Sequence, residues 1–386
     1  MRIRPGVKEF LSTMLDCRWE KENRKNRGKA SGRMLPFAHR MNTHDSEDRM
    51  LTRRHFLTAA LAAIPGAALA AEKTSKDDGM LEIKPLMPTT GSNSRYAKFG
   101  ELGPYGAPHQ PFQAEPIPGL PMMVFVPKQA TQLRAVIFSH GELTNPQVYQ
   151  PLLAHWASHG FAVFAPIHND SLLDNGAQRR DLATFMSDPS DWRQRASTLR
   201  RSLDAVEIVE RMTGMRIASD RPIVAGHSYG AFAAQLLMGA QPVVGGAPVA
   251  AADARFFAGL LLSPQGRGAM GLGDGSWAAV ARPLMVVTGN GDIDANSQSP
   301  NVKLEPYALS PAGNKHLAWF GAIRPTLYSG RGVAPGSPQV KAFQDLAAVT
   351  TAFLVSYADY DKDAFKELSG DYYTRMTEGR VTMYYR

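Results

Sequence analysis

Short apolar runs alternate with helical periods along most of the chain. Residues 122–126 and 135–138 read as strands, separated by the turn-like stretch 127–132. Val148, Leu152 and Trp156 then recur at helical spacing behind Asn145-Pro146, whose proline suits a first helical turn, and Gly160 ends that helix. Residues 161–166 are uniformly apolar, as expected of a parallel strand buried on both faces. Trp192, Ala196, Leu199, Leu203 and Val206 stripe one face of a long helix, with Asp188 and Asp191 at its start to cap it and make its N-terminus negative. The runs 222–225, 257–262 and 284–287 predict further strands, residues 231–240 a helix of small side chains, and residues 339–357 a last helix buried through Phe343, Leu346, Val349 and Phe353. This alternation predicts an α/β protein with a mainly parallel central sheet and helices on both faces. Residues 71–120 are polar, lack a sustained apolar period and read as a linker and irregular N-terminal cover. Residues 121–386 read as one catalytic domain, though nothing in 361–386 says what that tail packs against.

Composition changes the picture mainly at the N-terminus. The chain of 386 residues has a formal charge of +8, which would invite a nucleic-acid partner if it were spread over the domain. Fourteen of the 43 Lys and Arg lie in residues 1–70, against seven of the 35 Asp and Glu, so the remainder is nearly neutral and no nucleic-acid partner is expected. That leader carries Thr52-Arg53-Arg54-His55-Phe56-Leu57, an uncharged run over 58–71 and Ala68-Leu69-Ala70 as a small-residue cleavage site. The pattern resembles a twin-arginine export signal, with translation starting at Met50 or Met41 and cleavage near Ala70. It implies the twin-arginine machinery as a partner and a periplasmic or secreted location. The apolar run is shorter than the roughly 20 residues of a spanning helix and contains Pro65 and Gly66, so no stable membrane span is expected. The one cysteine, Cys17, falls in the leader, which leaves the exported chain without disulfides or thiol chemistry.

The chemistry centres on Gly226-His227-Ser228-Tyr229-Gly230, a G-x-S-x-G between a predicted strand and a predicted helix. In such an elbow a strained turn lifts the serine hydroxyl clear of the backbone. A serine needs a histidine to take its proton, an acid to orient that histidine and donors for the oxyanion, and in elbow-type sites the chain order is Ser, acid, His. Of ten histidines only His316 follows Ser228, so it is the expected base, placed in the turn-rich Gly313-Asn314-Lys315-His316. Asp292 follows the strand 284–287 through Thr288-Gly289-Asn290-Gly291 and is the expected acid, with Asp294 as the alternative. The backbone N–H groups of Tyr229 and Glu142 are the expected oxyanion donors, Gly141 being the alternative to Glu142, whose carboxylate is expected to point away. His140, Gly141 and His168 are candidate pocket residues, and His227 is expected to pack beneath the elbow. His155 and His159 are spaced like a metal pair but lack the glutamate and third ligand of a zinc motif, and His168-Asn169-Asp170 reads as a satisfied turn. No metal or cofactor is expected.

The sequence resembles α/β hydrolases of the dienelactone-hydrolase-like and platelet-activating-factor-acetylhydrolase-like group. The resemblance rests on Val136-Ile137-Phe138-Ser139-His140-Gly141, Ala157-Ser158-His159-Gly160-Phe161-Ala162-Val163, the elbow, Leu262-Ser263-Pro264-Gln265-Gly266 and Val287-Thr288-Gly289-Asn290-Gly291-Asp292. Together with the residues it implies an exported serine esterase that opens small ester substrates through a Ser-His-Asp triad and an acyl-enzyme. Amide, thioester or lactone hydrolysis, acyl transfer, and a binding protein on a hydrolase scaffold are the alternatives. Two departures stand out: dienelactone hydrolases proper use cysteine where Ser228 stands, and polyester hydrolases usually place an aromatic where Glu142 stands.

Overall fold

The computed structural model describes residues 95–106, 111–130, 132–171, 186–293, 298–330, 333 and 336–386. The stretch expected to be an export signal, the rest of residues 1–70 and Asp294 lie outside the described residues. The strands of the main sheet are β1 (Phe112–Ala114), β2 (Met122–Phe125), β3 (Gln132–Ser139), β4 (Phe161–Pro166), β5 (Arg216–His227), β6 (Ala258–Leu262), β7 (Leu284–Gly289), β8 (Lys315–Phe320) and β9 (Val381–Tyr385). They form one sheet in the order β1-β2-β4-β3-β5-β6-β7-β8-β9. Every pairing from β4 through β8 is parallel, while β1 on β2, β2 on β4 and β9 on β8 are antiparallel. With helices on both faces, this is the α/β-hydrolase fold.

Period-two alternation divides the core between those faces. Val136 and Phe138 of β3 with Ile223 and Ala225 of β5 join the layer made with α2 (Gln150–Ser158) and α8 (Pro338–Ala358). Ala135, Ile137 and Val224 join the opposite layer, made with α3 (Pro189–Asp204), α4 (Val206–Thr213) and α5 (Tyr229–Leu237). Two short helices, α6 (Pro300–Lys303) and α7 (Glu305–Ala308), follow β7.

The ordered fold extends beyond the predicted bounds at the N-terminal side. Residues read as an irregular cover contribute α1 (Arg95–Gly100) and β1. Tyr96 of α1 is buried against α8, its hydroxyl donating to Asp345 and its N–H to the Tyr372 hydroxyl at 3.0 Å. His155 and His159, in and just after α2, bond the carbonyls of Phe99 and Glu101 at 2.7 and 3.1 Å, pinning the end of α1. The tail forms α9 (Lys362–Ser369), α10 (Tyr372–Met376) and β9, the last strand of the sheet. No helix among the described residues is long and apolar enough to cross a membrane.

Candidate active site

The elbow is built by close backbone packing. Ser228 sits between β5 and α5 at φ 51° and ψ −120°, a conformation that costs a non-glycine residue of order 1–3 kcal/mol and persists only where its surroundings impose it. Both flanking glycines are dictated by space. A Cβ on Gly226 would lie 2.3 Å from the Gly230 carbonyl oxygen, and one on Gly230 would lie 2.0 Å from that of Ser139. The Ser228 N–H bonds the Leu262 carbonyl at 3.0 Å, tying the elbow to the end of β6.

The serine hydroxyl does not meet an imidazole. It donates to Glu142 Oε2 at 2.8 Å, and the same oxygen lies 3.4 Å from the Tyr229 N–H. The expectation that the Glu142 side chain turns away is therefore corrected. Two hydrogen-bond donors converge on the carboxylate, and their attraction offsets the cost of placing an anion beside Ser228. Gly141 gives its N–H to the Tyr149 hydroxyl at 3.1 Å, which leaves the N–H of Glu142 as the donor of this loop still to be assigned.

His316 is the second correction. It is the second residue of β8, paired with Met285, which pairs with Leu260 and through it with Ala225. Three strand steps and three residues then separate it from Ser228, roughly 17 Å at about 4.8 Å per strand and 3.3 Å per residue. No side-chain rotation closes that gap. The His316 ring is fully buried among Phe353, Tyr357, Phe365 and Tyr385, with Nε2 bonded to the Tyr357 hydroxyl at 2.6 Å. Burial, and then Lys315, push its pKa down to about 3, so it stays neutral. The turn-rich loop expected to carry it is instead the entry to β8.

Asp292 does lie at the carboxyl end of the sheet, just past β7, and it is fully buried. Its Oδ1 accepts from Ser263 Oγ, and its Oδ2 from Thr288 Oγ1 and the Tyr328 hydroxyl, each at 2.8 Å. Lys303 of α6, equally buried, donates to Ser263 Oγ at 2.7 Å and stands 3.9 Å from Asp292 Oδ1. The carboxylate is thus compensated by a cation and held by three hydroxyls. Tyr328 comes from the short helical turn Pro325–Ser329 after β8, and residues 321–386 contain no histidine. Burial, and then Asp292, hold the Tyr328 phenol well above its usual range, so it remains a donor. Sequence reasoning missed both Lys303 and Tyr328. A lysine in Pro300-Asn301-Val302-Lys303 carries no signal of burial, and Tyr328 gains meaning only once β8 is recognised.

The remaining candidate residues brace the site from behind. The His168 N–H donates to His140 Nε2 at 3.2 Å, which puts the ring proton of His140 on Nδ1, where it bonds the Gly141 carbonyl at 2.8 Å. Burial, and then Arg195, lower the His140 pKa to about 3, in keeping with that neutral tautomer. His168 Nε2 pairs with Ser139 Oγ at 2.9 Å, and burial likewise holds its pKa well below the usual histidine range. A Cβ on Gly141 would stand 3.0 Å from the Tyr149 hydroxyl. His227 lies beside the elbow, with Nδ1 2.7 Å from the Tyr149 hydroxyl and its ring 4.9 Å from that of Tyr328. Burial, and then Lys303, lower its pKa to about 3.

Comparison with known proteins divides the site. Residues 100–243 match a family model described as Chlorophyllase, over less than half of the chain. No curated protein matches the sequence. The matched stretch runs from the end of α1 through the Glu142 loop, Ser228 and α5, and stops before Asp292, Lys303, His316 and Tyr328. The similarity thus covers the half of the site that holds Ser228 and Glu142.

Proposed function

We propose that this chain is an exported carboxylic ester hydrolase in which Ser228 is the nucleophile and the Glu142 carboxylate takes its proton. The observation that carries the reading is the 2.8 Å hydrogen bond from Ser228 Oγ to Glu142 Oε2 at a serine held in elbow geometry. The match of residues 100–243 to a hydrolase family supports the reaction class, and the twin-arginine pattern of the leader supports export. Ser228 Oγ attacks the ester carbonyl as its proton passes to Glu142. The N–H groups of Tyr229 and Glu142 then receive the oxyanion. Proton transfer neutralises the carboxylate as negative charge grows on the carbonyl oxygen, which removes the repulsion an ionised neighbour would impose. The protonated Glu142 returns its proton to the departing alkoxide, and water, activated by the same carboxylate, hydrolyses the acyl-enzyme.

Ser228→Ala tests this against nitrophenyl esters of short, medium and long acyl chains. Turnover by the parent and none by a folded variant is expected, whereas equal turnover would end the reading. Export is tested by fractionating cells that carry Arg53→Lys with Arg54→Lys, which should retain the protein in the cytoplasm.

A second reading has its own support: Asp292 is engaged by three hydroxyls and a buried lysine rather than by an imidazole. On that reading the fold binds a small molecule without converting it. Absence of turnover and of covalent labelling at Ser228 would favour it.

A further inference from the structure

We propose that the buried Arg195–Asp170 pair positions the loop that presents Glu142 to Ser228; this rests on the reading of those two residues given above. Arg195 lies in α3 and Asp170 in the turn after β4, both side chains almost wholly buried. Arg195 Nη2 donates to both Asp170 oxygens at 2.7 Å. Its Nη1 donates to the His140 carbonyl at 2.5 Å and to Ser139 Oγ at 3.2 Å. Asp170 Oδ2 accepts the Leu143 N–H at 3.1 Å. The pair therefore grips the loop at 139 and 140 on one side of Glu142 and at 143 on the other. Leu143 has φ 49°, a left-handed conformation that a branched side chain keeps only when held, and Asp170 supplies a hold on its N–H. The same guanidinium lies 4.4 Å over the Tyr229 ring, whose residue supplies the N–H beside Glu142 Oε2. One planar cation thus ties both sides of the Ser228–Glu142 contact to α3. Burial would raise the Asp170 pKa, but Arg195, His140 and the Leu143 N–H together outweigh it and hold the carboxyl below its usual range, so the pair stays ionised at neutral pH.

The test compares the full chain with a double variant, Arg195→Met with Asp170→Leu, which leaves no unpaired buried charge. Hydrogen exchange is followed over residues 139–144, together with kcat, KM and fluorophosphonate labelling. Exchange should rise in that segment while the sheet stays protected. kcat should fall about 100-fold, the scale of an ångström-sized misplacement, with KM little changed. A purely structural pair would lower thermal stability and leave kcat of the folded protein intact. Unchanged exchange over 139–144, or raised exchange with kcat within twofold of the parent, overturns the proposal. If the double variant does not fold, Arg195→Lys keeps charge neutrality but cannot span Asp170 and the His140 carbonyl together, and the same two readouts apply. A parent that neither turns over ester nor accepts the label would sink the reading of Ser228, and exchange alone would then decide the role of the pair.

Discussion

Acidification should unfold this protein through its buried histidines, starting above the range in which carboxylates titrate. His140, His155, His159, His168 and His316 are all buried. Desolvation is the largest cause of each shift, lowering His140 and His316 to about 3, His159 to about 4, and His155 and His168 well below the usual range. In the unfolded chain each titrates near 6.5. Below that pH the unfolded state binds protons that the native state refuses, so stability is full above about pH 6.5 and falls as pH drops toward the native values. At pH 5.5 each such histidine costs about 1.4 kcal/mol, the five together about 7 kcal/mol and His227, lowered by burial in the same way, about as much again as one of them, against total stabilities of about 5–15 kcal/mol for typical domains. The expected result is a guanidinium midpoint that falls steeply between pH 7 and 5.5, with spontaneous unfolding between about pH 4 and 5.5. Circular dichroism and tryptophan fluorescence at fixed ionic strength measure both. Equal midpoints at pH 7 and pH 5 would refute the burial argument. Any activity lost in this window should follow the unfolded fraction rather than an imidazole titration in the native protein.

Other substitutions separate the roles within the site. Glu142→Gln keeps a hydrogen-bond acceptor beside Ser228 but no proton acceptor, and should lower kcat for ester hydrolysis by about 10²–10⁴-fold. Glu142→Ala should also lower it; a rise would mean that the carboxylate merely occupies the oxyanion site. Tyr328→Phe removes one of three hydroxyl donors from buried Asp292 and should cost about 1–3 kcal/mol in a denaturant titration. His316→Gln should leave kcat within about twofold in the folded protein, because a residue whose backbone lies roughly 17 Å from that of Ser228, with its ring bonded to Tyr357, cannot act as its base. Gly230→Ala places a Cβ 2.0 Å from a backbone oxygen and should destabilise by about 1–3 kcal/mol or more while displacing Ser228.

The layered fold was legible because its strands are short apolar runs between well-marked helices, and the elbow because two glycines must flank a serine whose neighbouring backbones nearly touch. The base was not legible. Chain order left His316 as the only candidate, but position in a parallel sheet follows from register, and register required β8 to be seen. Leu317-Ala318-Trp319-Phe320 is an apolar run that extends the strand past His316, yet the preceding Gly313-Asn314 drew the reading toward a loop. Glu142 was placed in the right loop and given the wrong orientation, since repulsion from an oxyanion was weighed without the attraction of Ser228 Oγ and the Tyr229 N–H in the resting site. Lys303 and Asp292 meet from separate elements in a buried cluster, a proximity that no local pattern encodes. The N-terminal helix and the tail strand were missed for a related reason. Both are short, and their place in the fold comes from packing on α8 and pairing with β8.

The most direct test is fluorophosphonate labelling of the intact protein at pH 7.5, with the adduct mapped by peptide mass spectrometry and its rate compared across variants. The account predicts a single adduct on Ser228, formed at the same rate by His316→Gln and far more slowly by Glu142→Gln. An unlabelled parent, or a rate lost with His316 and kept without the Glu142 carboxylate, would contradict it.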